Sequence, residues 1–215
     1  MTPPAYDLSL YLVVGRADCA GRPLAEVVER AVAGGVTLVQ LREKDAPTGV
    51  VAALARSLVA LLRPLAVPLI VNDDIEAALA ADAAGAHVGQ QDLDAAEARR
   101  RLGPDRILGL SISDDAEADA VDPALVDYLG IGPVYATPTK TDAAPALGAA
   151  GLARLRRRWP ALPACAIGGI KAENAAEVMA AGVDGLAVVS AIAGAEDPQM
   201  AAAALRQAML RARPA

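Results

Sequence analysis

Short apolar runs rich in Val, Ile and Leu recur along the chain, separated by Ala-rich stretches with spaced charges. A run that is apolar at consecutive positions marks a strand covered on both faces, as in a parallel sheet; a half-solvated strand would alternate. The pattern predicts strands at Ser9–Val14, Thr37–Leu41, Pro68–Val71, Ala86–Gly89, Ile107–Ser111, Tyr128–Gly132, Ala164–Ile167 and Gly185–Val189. Helix-forming residues with spaced charges predict helices at Leu24–Ala33, Gly49–Leu62, Ile75–Ala83, Ala95–Leu102, Asp115–Ala120, Leu152–Trp159, Ala172–Ala181 and Pro198–Ala212. Gly34-Gly35, Gly85, Gly103-Pro104 and Gly182 stand where helices should stop before the next strand, and a positive φ is commonly needed there. Strict strand–helix alternation implies a parallel sheet. With no G-x-G-x-x-G after the first strand, eight short units favour closure into a (β/α)8 TIM barrel over a doubly wound open sheet. No linker or low-complexity tract interrupts the series, so residues 1–215 are expected to form a single α/β domain. That length is below the roughly 250 residues typical of the barrel and suits a lean version without insertions.

Composition narrows the core and the partners. Hydrophobic residues reach 54% while aromatics are 2% and Phe is absent, so Ala, Val, Leu and Ile must fill the interior. A net charge of −6 and a pI near 4.8 argue against nonspecific nucleic-acid binding, which needs basic surface to displace counterions. Any phosphate site must then be local. No apolar run approaches the roughly 18 residues of a membrane span, and Met1 to Val14 lacks the basic start of a secretory signal. A cytoplasmic location without membrane association is expected. The two cysteines, Cys19 and Cys165, are read as buried or inert thiols rather than a disulfide or a metal site.

Candidate chemistry lies at the strand ends, because in such barrels function collects at the C-terminal face. The second strand runs into Gln40-Leu41-Arg42-Glu43-Lys44, where two-residue spacing puts Gln40, Arg42 and Lys44 on one side. Of 20 basic residues only Lys44, Lys140 and Lys171 are lysines, and all three follow strands. Lysine is a compact charge suited to phosphate oxygens, although a surface position at a helix start explains Lys171 equally well. The third strand ends in Asn72-Asp73-Asp74 and the fourth in Gly89-Gln90-Gln91-Asp92. Neighbouring strands lie about 4.8 Å apart, so a carboxylate from each can meet. Two bare carboxylates about 4 Å apart repel by roughly 4 kcal/mol at an effective dielectric of about 20. A shared cation removes that conflict, and few oxygen ligands completed by water suit Mg²⁺ on a diphosphate. Either Asp alone could equally cap a helix, a role for which Asp74 and Asp94 are better placed.

The seventh strand ends in Ile167-Gly168-Gly169 and the eighth in Val188-Val189-Ser190, positions from which backbone N–H groups frequently bind a phosphate. The loop Tyr135-Ala136-Thr137-Pro138-Thr139-Lys140 adds hydroxyls and a cation, and its Ala, Pro and Gly content up to Gly148 suggests a flap. Ser111 is open to two readings, a substrate contact or a structural hydrogen bond. His87, the only histidine, begins its strand and reads as structural. No Ser-His-Asp or Cys-His constellation offers nucleophilic hydrolysis.

Taken in order, Gln40-x-Arg42-x-Lys44, Asn72-Asp73, Gly89-Gln90-x-Asp92, Gly109-x-Ser111, Thr137-x-Thr139-Lys140, Gly168-Gly169 and Val189-Ser190 resemble the thiamine-phosphate synthase family over nearly the whole chain. The resemblance implies transfer of hydroxymethylpyrimidine from its diphosphate to the ring nitrogen of a thiazole phosphate, giving thiamine phosphate and pyrophosphate. It implies a pyrimidine diphosphate held by Gln40, Leu41, Arg42, Glu43, Lys44, Asn72, Ser111 and Lys140, with Arg42, Lys44, Ser111 and Lys140 as the catalytic set. It implies Mg²⁺ on Asp73 and Asp92, and a thiazole phosphate on Thr137, Pro138, Thr139, Gly169, Val189 and Ser190. The family reaction is regarded as dissociative, with pyrophosphate leaving before the thiazole nitrogen attacks. The first strand departs from the family's frequent Thr-Asp ending with Val14-Gly15. A related family, the thiazole tautomerases, lacks the second metal aspartate and carries a histidine two residues after the fifth-strand serine; here Asp92 and Ser113 stand instead. A noncatalytic thiazole- or thiamine-phosphate-binding barrel is the third reading. A homo-oligomer is left open.

Overall fold

The computed structural model describes residues 5–90, 92–137 and 144–212. Its strands are β1 (Leu10–Val14), β2 (Leu38–Leu41), β3 (Leu69–Asn72), β4 (Gly85–Val88), β5 (Ile107–Ile112), β6 (Tyr128–Ile131), β7 (Ala164–Ile167) and β8 (Gly185–Val188). Each pairs in parallel with the next and β8 returns to β1, closing the barrel. The helices are α1 (Leu24–Ala33), α2 (Thr48–Leu62), α3 (Ile75–Ala80), α4 (Ala95–Leu102), α5 (Asp115–Asp119), α6 (Gly148–Arg156), α7 (Ala175–Ala180), α8 (Ser190–Ala193) and α9 (Pro198–Ala212).

Because side chains alternate along a strand, the barrel wall divides two apolar regions. Leu10, Leu12, Val14, Val39, Leu41, Val71 and Ile112 face outward into the layer shared with the helices. Tyr11, Val13, Leu38, Ile70, Ile107, Tyr128, Cys165 and Ala187 fill the inside. Both cysteines are buried free thiols. At the N-terminal face Arg99 ties the base together: it reaches the Asp127 carboxylate at 2.6 Å and the carbonyls of Leu125, Gly103 and Arg106 at 2.8, 2.9 and 2.7 Å. Asp127 in turn accepts from the Leu108 N–H at 2.7 Å. This end of a barrel serves stability, leaving the other for chemistry.

Three differences from the sequence reading have physical causes. Gly85 does not end a helix; it lies in β4, and a Cβ there would come within 1.9 Å of the Ile107 carbonyl oxygen. The left-handed turn after α3 belongs instead to Asp82 (φ 53°). The helix α8, directly after β8, was not expected, since four residues are too few for an amphipathic period to show. Finally, Thr48–Leu65 meets the length and composition of a membrane-crossing helix, with mean hydropathy 1.5. Packing accounts for one face of it: Val51, Ala52, Ala55, Leu58 and Leu62 are buried where α2 lies on β3 and α3, while Val50 and Leu65 are exposed.

Candidate active site at the barrel mouth

Alternation along β2 sorts the predicted residues. Gln40 is buried inside the barrel, its amide nitrogen donating to the Tyr11 hydroxyl at 2.6 Å. Leu41 faces outward into the core, so only its backbone can reach a ligand. Arg42 follows on the inner side, close enough to Asp73 to draw its pKa down. Glu43 turns the other way, where its carboxylate accepts from Arg16 Nε and Nη2 at 3.0 and 2.8 Å. Lys44 is exposed just beyond. The departure at Val14-Gly15 has a steric basis here, because a Cβ on Gly15 would sit 2.3 Å from the Arg42 carbonyl oxygen.

At the ends of β3 and β4 the two aspartates do meet. Asp73 is left-handed (φ 62°), a conformation uncommon outside glycine and one that short polar side chains tolerate best. Its N–H donates to the His87 carbonyl at 2.8 Å and its carboxylate accepts from the Asn72 side-chain amide. Asp92 folds back so that its carboxylate accepts from the Gly89 N–H at 2.8 Å. Desolvation by burial, then the hydrogen bond and charge of Asp92, push the Asp73 carboxyl up to about 7, against the opposing pull of Arg42 and Asn72. Asp74 and Asp94 are the aspartates that cap α3 and α4.

Across the mouth, Gly168 and Gly169 both take positive φ, 102° and 66°. The segment after β6 lies against them, with the Val134 and Tyr135 N–H groups donating to the Ile167 and Gly168 carbonyls at 2.9 and 3.0 Å. Asn174 fixes the turn by donating to the Gly169 carbonyl at 3.0 Å. Val189 and Ser190 open α8, whose first N–H groups have no intrahelical acceptor. Thr137 is half-buried. Pro138, Thr139 and Lys140 lie outside the described residues.

Sequence reasoning did not bring together three residues that meet inside the barrel. His87 is next to last in β4 and points inward, its Nε2 2.9 Å from Ser111 Oγ and its Nδ1 2.9 Å from the Tyr128 hydroxyl. Tyr128 meets the Tyr11 hydroxyl at 2.8 Å, and Tyr11 meets Gln40. Burial holds both phenols well above the usual tyrosine range, so they stay protonated. The available signal was that both tyrosines sit at inward positions of predicted strands.

A family model described as thiamine monophosphate synthase matches residues 10–192. The thiamine-phosphate synthases of Azorhizobium caulinodans and Xanthobacter autotrophicus are 52% and 51% identical, over 95% and 98% of this chain and 96% and 100% of theirs. A solved structure, the thiamine phosphate pyrophosphorylase from Pyrococcus furiosus, is similar with a TM-score of 0.85 and 36% identity, covering 95% of this chain and 96% of that one.

Proposed function

The chain belongs to the thiamine monophosphate synthase family and is a transferase of that kind, and we propose that its barrel mouth is where hydroxymethylpyrimidine diphosphate and thiazole phosphate are joined. The observation that carries this reading is the meeting of Asp73 and Asp92 beside Arg42, across the mouth from the Gly168-Gly169 turn. Like charges forced together, one of them pushed up to about 7, fit a divalent cation. Among the described residues no group of three or more His, Cys, Asp or Glu side chains could hold a metal ion; a cation here would complete its shell with water and diphosphate oxygens, as suits Mg²⁺. Bound there, Mg²⁺ would offset charge growing on the diphosphate.

The rest falls to the protein. Gln40, Asn72 and Ser111 orient the pyrimidine. The bond between the pyrimidine methylene carbon and the diphosphate oxygen breaks, with its electron pair leaving on pyrophosphate, and Arg42, Lys44 and Lys140 stabilise that charge. The thiazole nitrogen then supplies the pair for the new carbon–nitrogen bond, so no protein nucleophile is required. The backbone at Gly169 and Ser190, with Thr137, Thr139 and Val189, receives the thiazole phosphate. The alternative tautomerase reading loses its candidate position, since the Ser113 hydroxyl donates to Glu117 at 2.8 Å. The enzyme acts on small phosphorylated substrates, and the reading includes a cytoplasmic setting without nucleic-acid or membrane partners. Incubating the protein with both substrates and Mg²⁺ tests it: thiamine phosphate and pyrophosphate should form in equal amounts, and their absence overturns the proposal.

Two further outcomes are expected. Gly169→Val removes a residue at φ 66° and places a Cβ 2.7 Å from Tyr135 Cβ, closing the approach to the backbone. The thiazole KM should rise roughly tenfold or more, the scale of a lost hydrogen bond to a charged group, while the pyrimidine KM changes little. Equal changes in both would mean that the two phosphates have been assigned to the wrong halves of the site. The second outcome concerns pH. Asp73 has a folded pKa raised to about 7 from an ordinary 3.8, so the metal-free fold binds a proton that the unfolded chain has lost, and stability should decline as pH rises through that interval. The rise in Tm on adding Mg²⁺ should therefore be larger at about pH 8 than at about pH 5, where protons compete for the site. Melting curves with and without Mg²⁺ at both pH values check this; equal rises would argue against binding at Asp73.

A further inference from the structure

Five side chains from five strands form one hydrogen-bonded chain through the barrel interior. Gln40 Nε2 donates to Tyr11, Tyr11 meets Tyr128, Tyr128 meets His87 Nδ1, and His87 Nε2 meets Ser111 Oγ, at 2.6, 2.8, 2.9 and 2.9 Å. The two ends, Gln40 and Ser111, are the residues assigned above to the pyrimidine, whereas the three in the middle have no part in that assignment. Room has been made for them. A Cβ on Gly109 would lie 2.2 Å from Tyr128 Cζ and 2.4 Å from His87 Nδ1, and one on Gly130 would lie 3.1 Å from His87 Cε1. Two inward glycines on adjacent strands therefore clear the space that the His87–Tyr128 pair occupies.

With the Gln40 amide nitrogen turned toward Tyr11, the protons in this chain run one way. An amide nitrogen donates and never accepts, so the Tyr11 oxygen receives from Gln40 and its own proton goes to Tyr128. Tyr128 then gives its proton to His87 Nδ1. That requires the neutral Nε2–H tautomer, which donates to Ser111. Ser111 is left with its own hydroxyl proton to offer outward, and Gln40 with its carbonyl oxygen. One end presents a donor and the other an acceptor, and the three buried groups between them hold that polarity.

We propose that the Tyr11–Tyr128–His87 chain is a specificity device that sets Gln40 as acceptor and Ser111 as donor, selecting an aminopyrimidine over its oxo counterpart. An amino group beside a ring nitrogen offers the matching donor and acceptor. Replacing the amino group by a carbonyl oxygen and protonating the ring nitrogen reverses both, and the chain would have to reverse along its whole length to match. A site whose polar groups are left unpaired by the wrong ligand rejects it far more strongly than an apolar pocket does. The inference rests on the pyrimidine reading of Gln40 and Ser111. Tyr11, Tyr128 and His87 act through those two and are positioning residues.

His87 is the only histidine, so the imidazole nitrogen-15 spectrum of the labelled protein reports it without ambiguity. Wild type should show the neutral Nε2–H tautomer. Gln40→Glu, almost the same shape but unable to donate from its carboxylate, should invert the far end of the chain to Nδ1–H. An Nδ1–H signal in wild type, or a tautomer indifferent to Gln40→Glu, overturns the chain. Selection is read by letting the oxo analogue of the pyrimidine diphosphate compete with the true substrate. In Tyr128→Phe, which cuts the chain by one hydroxyl, the analogue should gain about tenfold relative to the substrate. An unchanged preference overturns the selection. Failure of wild type to make thiamine phosphate would overturn the functional reading and the selection with it, whichever tautomer is seen.

Discussion

Asp73→Asn and Asp92→Asn should each lower the rate of thiamine phosphate formation by roughly two to three orders of magnitude, the scale of losing one preorganised charge partner at a developing anion. Neither change should disturb the fold. Asparagine matches aspartate in shape and is one of the few residues that tolerate the left-handed conformation Asp73 adopts at φ 62°. Stability should move the opposite way from activity: without metal, the Asp73 and Asp92 carboxylates raise each other's cost, and neutralising one relieves it. A higher metal-free Tm in Asp73→Asn together with collapsed turnover would show that the site holds strain for a ligand's sake. Undiminished activity in both variants, or activity of wild type in excess chelator, excludes the metal role.

The barrel was legible because its strands are covered on both faces and so read as short, mostly apolar runs. Thr37–Leu41 was predicted where β2 runs Leu38–Leu41, and Ala164–Ile167 matches β7 residue for residue. Period-two spacing also placed Gln40 and Arg42 on one side. The same rule, applied strictly, turns the Leu41 and Glu43 side chains away, toward the core and Arg16, so the contacts that the resemblance implies for both fall to their backbone.

What stayed hidden depends on groups brought together from distant parts of the chain. His87 was read as structural from its place near the start of the predicted Ala86–Gly89 strand; β4 runs one residue earlier at both ends, and the buried ring's bonds to Tyr128 and Ser111 are partners that the reading did not name. Nothing local marks Tyr128 as its partner 41 residues on, and a lone tyrosine in an apolar strand reads as core. Gly109 was noted only as part of a motif; that it leaves room for a ring from the next strand emerges once β5 and β6 are in register. The same holds for Arg99, whose four partners come from two segments of the N-terminal face, the loop before β5 and the loop before β6.

Lys140→Ala should lower turnover about a hundredfold and separate the synthase from a tautomerase. Lys140 is one of three lysines in the chain, and the family pattern puts it on the pyrimidine diphosphate. If it helps pyrophosphate depart, its contribution is larger in the transition state, where charge is growing on the leaving oxygens, than in the ground state. Both kcat and kcat/KM should then fall, rather than KM alone rising. Losing one charge-assisted contact to a developing anion costs about 3 kcal/mol, which is roughly two orders of magnitude in rate. Lys140→Arg should recover only part of this, because a planar fork does not reproduce a compact ammonium with rotatable donors. A tautomerase moves a proton within the thiazole and releases no diphosphate, so it predicts neither pyrophosphate nor an effect of Lys140 on it. Pyrophosphate release, followed with both substrates present, decides between them. None from wild type would rule out the synthase chemistry, and equal release from wild type and Lys140→Ala would remove Lys140 from the reaction while leaving Arg42 and Lys44 to carry the charge.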